Sequence, residues 1–389
     1  MFEERKRDMI KKCLSVWLSL MILVFSFIPI YSDEIVRADY FLKNIAIDGE
    51  NIINYELSNP FLIYNDRVYI PMDQEVGRIM GFEAETDQKS RILKIRKTDA
   101  EGFQNVEDSG KKNNLEPVQV LVRTDMEILA YTEHRDAQQS EETDAAGQEN
   151  AERKKTEESK DAAREKEITV PDLEVQNVDL MGQPLLTANS TVYVPLNVIT
   201  TGGVFGWSAC YDSCFGVCIS TDADTEASSR LDTADADRIR GLASYIMSQN
   251  ASLTMAEAQN MVYYFESYGR INSVEPQLLM AVANCESMYH PRAVSSSGCV
   301  GLMQIKVSTG NSYGFTEDQL LQVKPNIEMG SIYLGEALRT FEGDRVLAVS
   351  SYNWGIWGVK SGSYNMQYAE KVLSRYDAIS AFLSAGGYV

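Results

Sequence analysis

Between Glu133 and Glu167 runs "EHRDAQQSEETDAAGQENAERKKTEESKDAAREKE", a tract without Phe, Trp, Tyr, Leu, Ile, Val or Met. It cannot bury enough apolar area to offset the entropy lost on ordering, so it stays outside any core. The chain therefore has to fold on either side of it. A second polar stretch, "TDADTEASSRLDTADADR" from Thr221, marks another boundary. The expected organisation is an export segment at 1–38, a β-rich half at 39–132 and the charged insert at 133–168. A second β-rich half at 169–221, a linker at 222–233 and a helical domain at 234–389 follow. With 389 residues, 44% of them hydrophobic, the chain holds enough apolar mass for two or three cores.

Charge excludes one class of partner. The chain has 36 basic and 56 acidic residues, a formal net charge of -20, whereas nucleic-acid binding needs a basic face. The N-terminus points to the membrane instead. "EERKRDMIKK" is mostly charged, and "CLSVWLSLMILVFSFIPIY" (Cys13 to Tyr31) is almost unbroken apolar sequence, the pattern of an export signal with its basic end left inside. The run is longer than the roughly 7–15 residues of a usual signal core and near the ~20 of a spanning helix. Val36-Arg37-Ala38 offers a cleavage site, so cleaved peptide and retained anchor both stay open. Cys13 precedes the apolar run and is not placed as a lipoprotein cysteine. Either way the chain is expected on the extracellular face of the cell envelope, secreted or membrane-anchored.

In an exported chain the remaining cysteines, Cys210, Cys214, Cys218, Cys285 and Cys299, can oxidise. Five is odd, so at least one stays free or pairs with another chain. The even spacing of Cys210, Cys214 and Cys218 suggests metal less than strand pairing, because no histidine lies nearby.

Two stretches repeat. "NDRVYIPMDQEVGRIMGFEAETD" (Asn65 to Asp87) matches "NSTVYVPLNVITTGGVFGWSACYD" (Asn189 to Asp212). Each has a polar turn, an alternating strand ending in proline, a short helical piece and a Gly-aromatic pair before a further strand. This pattern resembles the copper amine oxidase N-terminal-like family, whose repeats are β-rich (α+β) and found on exported proteins of Gram-positive bacteria. The resemblance carries no copper here: the chain has 2 histidines, His134 and His290, far apart in sequence. A cell-wall or protein partner for this module is expected.

Beyond the second polar stretch the pattern turns helical to the end. "IRGLASYIMSQN", "TMAEAQNMVYYFESYG", "PQLLMAVANCES", "NIEMGSIYLGEALRTF", "RVLAVSSYN" and "YAEKVLSRYDAISAFL" carry apolar residues at three- and four-residue spacing. An all-α domain is expected. In the third of these, Leu278, Val282 and Glu286 fall at i, i+4 and i+8 on one face, with Pro276 in the first turn. Glu286 therefore continues an apolar stripe at a helix C-terminus. Burial and the helix dipole both disfavour its charged form there, as a general acid requires; a frayed end in water is the alternative. After it come "SSSGCVGLMQI", whose glycines let backbone approach a ligand, and Gln304, which can donate to and accept from sugar hydroxyl and acetamido groups. "SSYNWGIWG" adds Trp354 and Trp357, either sugar-stacking rings or core.

From about Tyr264 to Tyr376 these motifs, in this order, resemble the catalytic domain of the soluble lytic transglycosylases, members of the lysozyme superfamily. Glu286-Ser287, Ser295, Gly301-Leu302-Met303-Gln304-Ile305, "KPNIEMGSIYL", Tyr352-Asn353 and Tyr368 carry the likeness. The resemblance implies a lysozyme-like domain cutting peptidoglycan (murein) glycan strands, with Glu286 as the single acid/base. It places Ser287, Ser295, Gly301, Leu302, Met303, Gln304, Tyr352, Asn353 and Tyr368 in the substrate cleft. It implies no metal and no cofactor. The product is expected to be a 1,6-anhydromuramyl end, formed when the substrate's own 6-hydroxyl closes on the anomeric carbon. A hydrolytic muramidase of the goose-type lysozyme kind, and a non-catalytic wall-binding protein, are the alternatives. Cys299 stands where the family has a small alanine and Cys285 precedes the acid; the two either bridge across the catalytic turn or stand as small thiols. Because the site residues all follow Ser220, a fragment from about Asp232 to Val389 is expected to fold and act alone.

Overall fold

A computed structural model of the protein describes residues 34–100, 115–133, 173–201 and 203–388. The apolar run Cys13–Tyr31 and the charged insert from His134 onward lie outside the described residues. Among the described residues no helix is long and apolar enough to cross a membrane.

The β-rich half of the molecule is built twice from one plan. The first copy runs β1 (Glu34–Tyr40), β2 (Asn44–Ile47), β3 (Glu50–Ile52), β4 (Leu62–Tyr64), β5 (Arg67–Pro71), α1 (Gln74–Met80), β6 (Phe82–Asp87) and β7 (Ile92–Lys97). The second runs β8 (Val118–Arg123), β9 (Glu127–Glu133), β10 (Leu173–Val178), β11 (Leu185–Ala188), β12 (Thr191–Pro195), α2 (Leu196–Thr200), β13 (Ser208–Asp212) and β14 (Gly216–Ser220). The matching turns carry matching chemistry. Asn65-Asp66 and Asn189-Ser190 all have positive φ, the twist that joins two strands by a two-residue loop and that Asn and Asp tolerate best. Asp73 then caps α1 by accepting from the Val76 N–H at 2.9 Å.

The copies interlock. Six strands close a barrel in the order β1-β4-β5-β12-β11-β8, three neighbouring strands from each copy joined at β5–β12 and β8–β1. Each flanking sheet repeats the exchange: β10-β9-β7-β6 on one side and β13-β14-β2-β3 on the other, with β7 parallel to β9 and β14 parallel to β2. This moves the expected division between halves. The insert does not separate the copies; it opens the tip of the β9–β10 hairpin, paired from Leu173↔Glu133 to Val178↔Ile128, where the first copy has only the Asp48-Gly49 turn of β2–β3. Residues 118–133 thus belong with the second copy. The cleavage site Val36-Arg37-Ala38 falls inside β1, where Ala38 is fully buried and pairs with Val118.

The helical domain comprises α3 (Thr233–Gln249), α4 (Met255–Asn272) and α5 (Pro276–Ser287). A small hairpin follows, β15 (Cys299–Val300) and β16 (Ile305–Lys306), then α6 (Val307–Ser312), α7 (Glu317–Leu320), α8 (Val323–Thr340), α9 (Arg345–Lys360) and α10 (Gln367–Gly386). Its centre is α5, whose residues from Leu278 to Ala283 are all buried. The all-α expectation holds for this region apart from the two-residue strands.

The two parts share one core. Tyr40, Tyr55, Leu115 and Phe215 of the β module pack in the same cluster as Tyr263, Phe265 and Leu279. The Tyr263 hydroxyl donates to the carbonyls of Cys214 and Phe215, the latter at 3.0 Å. Lys324 Nζ on α8 donates to the Leu115 carbonyl at 2.7 Å. The 222–233 segment is fastened too: Arg230 donates to the Asp48 carbonyl at 3.0 Å and Ala227 is buried. These contacts argue against the expectation that the helical fragment is self-sufficient, because a fragment would expose the faces of α4 and α8 that the β module covers.

Candidate active site

Glu286 is the penultimate residue of α5, and the chain reverses directly after it through Met288 and Tyr289, both at positive φ. Val282 and Leu278, on the same face one and two turns earlier, are buried, so the stripe read from the sequence does deliver the carboxyl to the end of a core helix. Glu286 lines an open cleft of about 640 Å³ together with Ser287, Ser295, Gln304, Lys371 and Arg375. Burial raises its pKa above the ordinary carboxylate value of 4.5, while the Tyr368 hydroxyl and the Lys371 ammonium partly pull it back. The Tyr368 hydroxyl donates to Glu286 Oε1. Tyr368 and Tyr352 are themselves held far above the usual phenol range, first by burial and then by the charge of Glu286. Both remain neutral donors.

The opposite wall is the tip of the β15–β16 hairpin, Gly301-Leu302-Met303-Gln304. Ser287 Oγ donates to the Leu302 carbonyl at 2.5 Å, tying the acid's own helix to that tip. Tyr352 Oη donates to the Met303 carbonyl at 3.1 Å. Gln304, at φ +50, donates its side-chain amide to the carbonyls of Ala293 and Gly301, each at 3.0 Å. Ser295 Oγ accepts from the Cys299 N–H at 2.9 Å and closes the serine-rich turn. Of the residues carried over from the family, Glu286, Ser287, Ser295 and Gln304 line the cleft. Leu302 and Met303 are fully buried behind it, and Gly301 and Tyr352 hold that wall. Asn353 is exposed on α9.

One organising residue escaped the sequence reading. Asn326 of α8 is fully buried and ties the hairpin to α7: it accepts from the Met303 N–H at 2.6 Å and donates to the carbonyls of Val300 in the hairpin and Leu320 of α7 at 3.0 and 2.7 Å. It sat inside the quoted "KPNIEMGSIYL", but its role depends on a closure across 23 residues that spacing alone does not display. Gly301 lies against it: a Cβ there would come within 2.2 Å of the Asn326 amide and 2.3 Å of the Leu320 carbonyl, at φ +80.

Among the described residues no second carboxylate lines this cleft. Glu317 and Asp318, the nearest acids after Glu286 in sequence, open α7 and are exposed outside it. Cys285 and Cys299 are free thiols, as are Cys210, Cys214 and Cys218. Cys210 and Cys218 face each other across β13 and β14. Trp354 and Trp357 are 42% and 83% exposed, which removes the core-packing alternative. Gly355 between them, at φ 73 and ψ 150, breaks α9. Among the described residues no group of three or more His, Cys, Asp or Glu stands together.

Residues 263–372 match the family described as the Transglycosylase SLT domain. Solved structures similar to the chain include the 70 kDa soluble lytic transglycosylase from Escherichia coli (21% identity over 40% of this chain and 30% of that one, TM-score 0.30). An inactive variant of lytic transglycosylase Slt from Pseudomonas aeruginosa matches at 21% identity over 41% of this chain and 32% of that one, TM-score 0.30. The 70 kDa soluble lytic transglycosylase in complex with bulgecin A matches at 21%, over 39% of this chain and 30% of that one, again at TM-score 0.30. The chain spans about a third of the length of these proteins.

Proposed function

We propose that the protein is a peptidoglycan lytic transglycosylase acting on the outer face of the cell envelope, with Glu286 as its only acid/base. The observation that carries this reading is the single carboxyl of the cleft, made hard to ionise by burial and gripped by the Tyr368 hydroxyl. A protonated Glu286 gives its proton to the glycosidic oxygen between N-acetylmuramic acid and N-acetylglucosamine. The bond to the anomeric carbon breaks, and the oxygen leaves as the N-acetylglucosamine 4-hydroxyl. Glu286, now a carboxylate, takes the proton from the muramyl 6-hydroxyl as that oxygen bonds to the anomeric carbon, and so returns to its starting state. Ordinary glycosidases need a second carboxylate as nucleophile or base; here the tethered hydroxyl supplies the nucleophile, with the large effective concentration that tethering gives.

The SLT-domain match of residues 263–372 supports the same reading. Export through the Cys13–Tyr31 segment belongs to the proposal, and so does a role for the β module in placing the domain at the wall. Replacing Glu286 by Gln keeps the shape and removes the proton, so murein clearance should fall at least ~100-fold while the melting curve stays close to that of the parent. A Glu286→Gln protein that clears murein near the parent rate would overturn the assignment.

A further inference from the structure

Of the five cysteines among the described residues, all thiols in this structure, two stand directly opposite each other. Cys210 of β13 pairs in register with Cys218 of β14 in an antiparallel ladder, so both side chains leave the same face of the sheet. Opposite residues in such a ladder have Cα atoms about 4.5 or 5.5 Å apart, according to the hydrogen-bond pattern. A disulfide spans about 4.4–6.8 Å. Either spacing admits the bond. The pKa of the Cys218 thiol is pushed up to about 12, first by burial and then by the charge and the hydrogen bonding of Cys210. The two sulfurs already act on each other.

The other three thiols are engaged elsewhere. Cys214 lies in the turn between the two strands, where its sulfur accepts from the Gln259 side-chain amide of α4 at 3.0 Å. Cys285 is set against Lys371 and Arg375 of α10, and Cys299 against the Ser297 hydroxyl at 3.8 Å. Within the facing pair, Cys210 is partly exposed and Cys218 fully buried, so a reagent from outside reaches only the first. The place of the pair matters too. β13 is an edge strand, bonded within its sheet to β14 alone, whereas β14 also pairs with β2 of the other copy. The turn joining β13 to β14 supplies the carbonyls of Cys214 and Phe215 that accept from Tyr263 of α4. A contact between the two parts of the molecule thus hangs on a hairpin with one unsupported strand.

We infer that Cys210 and Cys218 are an oxidation site, at which an external disulfide makes a cross-strand bond that pins the edge strand β13 to β14. Cys210 loses its proton and its sulfur attacks one sulfur of the external disulfide; the other sulfur leaves as a thiolate and takes up a proton. The Cys218 sulfur then attacks Cys210 and gives up its own proton, and the mixed disulfide breaks to release the second external thiol. Two protein thiols are oxidised and one external disulfide is reduced to two thiols, which carry away both protons. The product suits the buried position, because a Cys218 thiolate is disfavoured there whereas the disulfide has neither charge nor proton. In the oxidising surroundings that the proposed export brings, such a bond persists. Neither cysteine lines the lytic cleft.

The test is thiol mapping of the full-length protein, first reduced and then held folded with oxidised glutathione. Free thiols are alkylated in denaturant, and the chain is cleaved before Asp212, which parts Cys210 from the peptide that holds Cys214 and Cys218. The expected product is a linked pair of these peptides, two hydrogens lighter than the sum of their thiol forms, with Cys214, Cys285 and Cys299 alkylated. The oxidised parent should melt about 5 °C above the reduced parent. Cys210→Ser, a small change at the partly exposed position, should abolish that difference. Alkylation of both Cys210 and Cys218 after oxidation, glutathione retained on Cys210, or a bond to Cys214 in place of Cys218 would overturn the inference. A Cys210–Cys218 bond that leaves the melting temperature unmoved would overturn its role in pinning the edge strand.

Discussion

The two parts of this chain are put together by opposite rules. In the β module nearly every sheet is closed by strands from different copies: Val36 pairs with Val120, Ile70 with Val194 and Ile45 with Val217. No stretch of the module holds its own core. In the helical domain each helix folds on its own periodicity, and the cleft is assembled from segments that follow one another closely. Ser287 reaches Leu302, Gln304 reaches Gly301 and Met303 reaches Asn326; Tyr368 comes from farthest away to meet the acid, 82 residues along. The proposed site sits in the part with short-range closure, while the part with long-range closure packs against its back.

The largest effect that could break this contrast comes from separating the parts. A fragment beginning at Asp232 loses Tyr40, Tyr55, Leu115 and Phe215 from the shared core. At ~1.5–3 kcal/mol for each large side chain, the four together come to roughly 6–12 kcal/mol, comparable with the whole stability of many domains. The fragment should melt at much lower denaturant than the full chain. An unchanged midpoint for the helical transition would show that this packing is dispensable.

A next test is confined to the cleft wall. Gly301→Ala forces a side chain into positive φ and against the Asn326 amide and the Leu320 carbonyl, and should cost about 3 kcal/mol or more. Gly298→Ala is the control, because its φ of +78 is as unusual but its surroundings are open; about 1 kcal/mol is expected there. Equal costs at the two positions would mean that close packing at the hairpin tip is not what holds the wall.

The smallest effect is a shift in pH response. The proposed chemistry needs Glu286 protonated, so activity should fall as pH rises through its raised pKa. Tyr368→Phe removes the hydrogen bond that favours the carboxylate, and the alkaline limb of the pH profile should move upward as the rate drops. The same raised pKa fixes the sign for stability. The folded chain holds this proton more tightly than the unfolded one, so stability at this site is fully present below the ordinary value of 4.5. It falls as pH rises from there through the raised value. A limb that moves down in Tyr368→Phe would contradict the bonding described.

Legibility followed the same divide. The helices, the stripe from Leu278 to Glu286 and the polar turns at Asn65-Asp66 and Asn189-Ser190 were readable, because each is written in a few consecutive residues. The exchange of strands between copies was not. Alternation shows which face of β5 is buried but not that β12 lies beside it. The insert misled for the same reason: a tract that cannot enter a core marks a gap in the core, and a hairpin tip is as good a gap as a domain boundary. In the site, the roles of Asn326 and Lys371 emerge only once α8 and α10 are laid against α5.

The most direct test of a lone acid at work is the chemical identity of the ends it makes. Purified murein digested by the full chain should release muropeptides that end in 1,6-anhydromuramic acid, lighter by one water than hydrolytic products and unchanged by borohydride. A majority of reducible muramic acid ends would contradict the single-carboxyl mechanism, because water would then have found a base on the far side of the sugar, where the described residues of this cleft supply none.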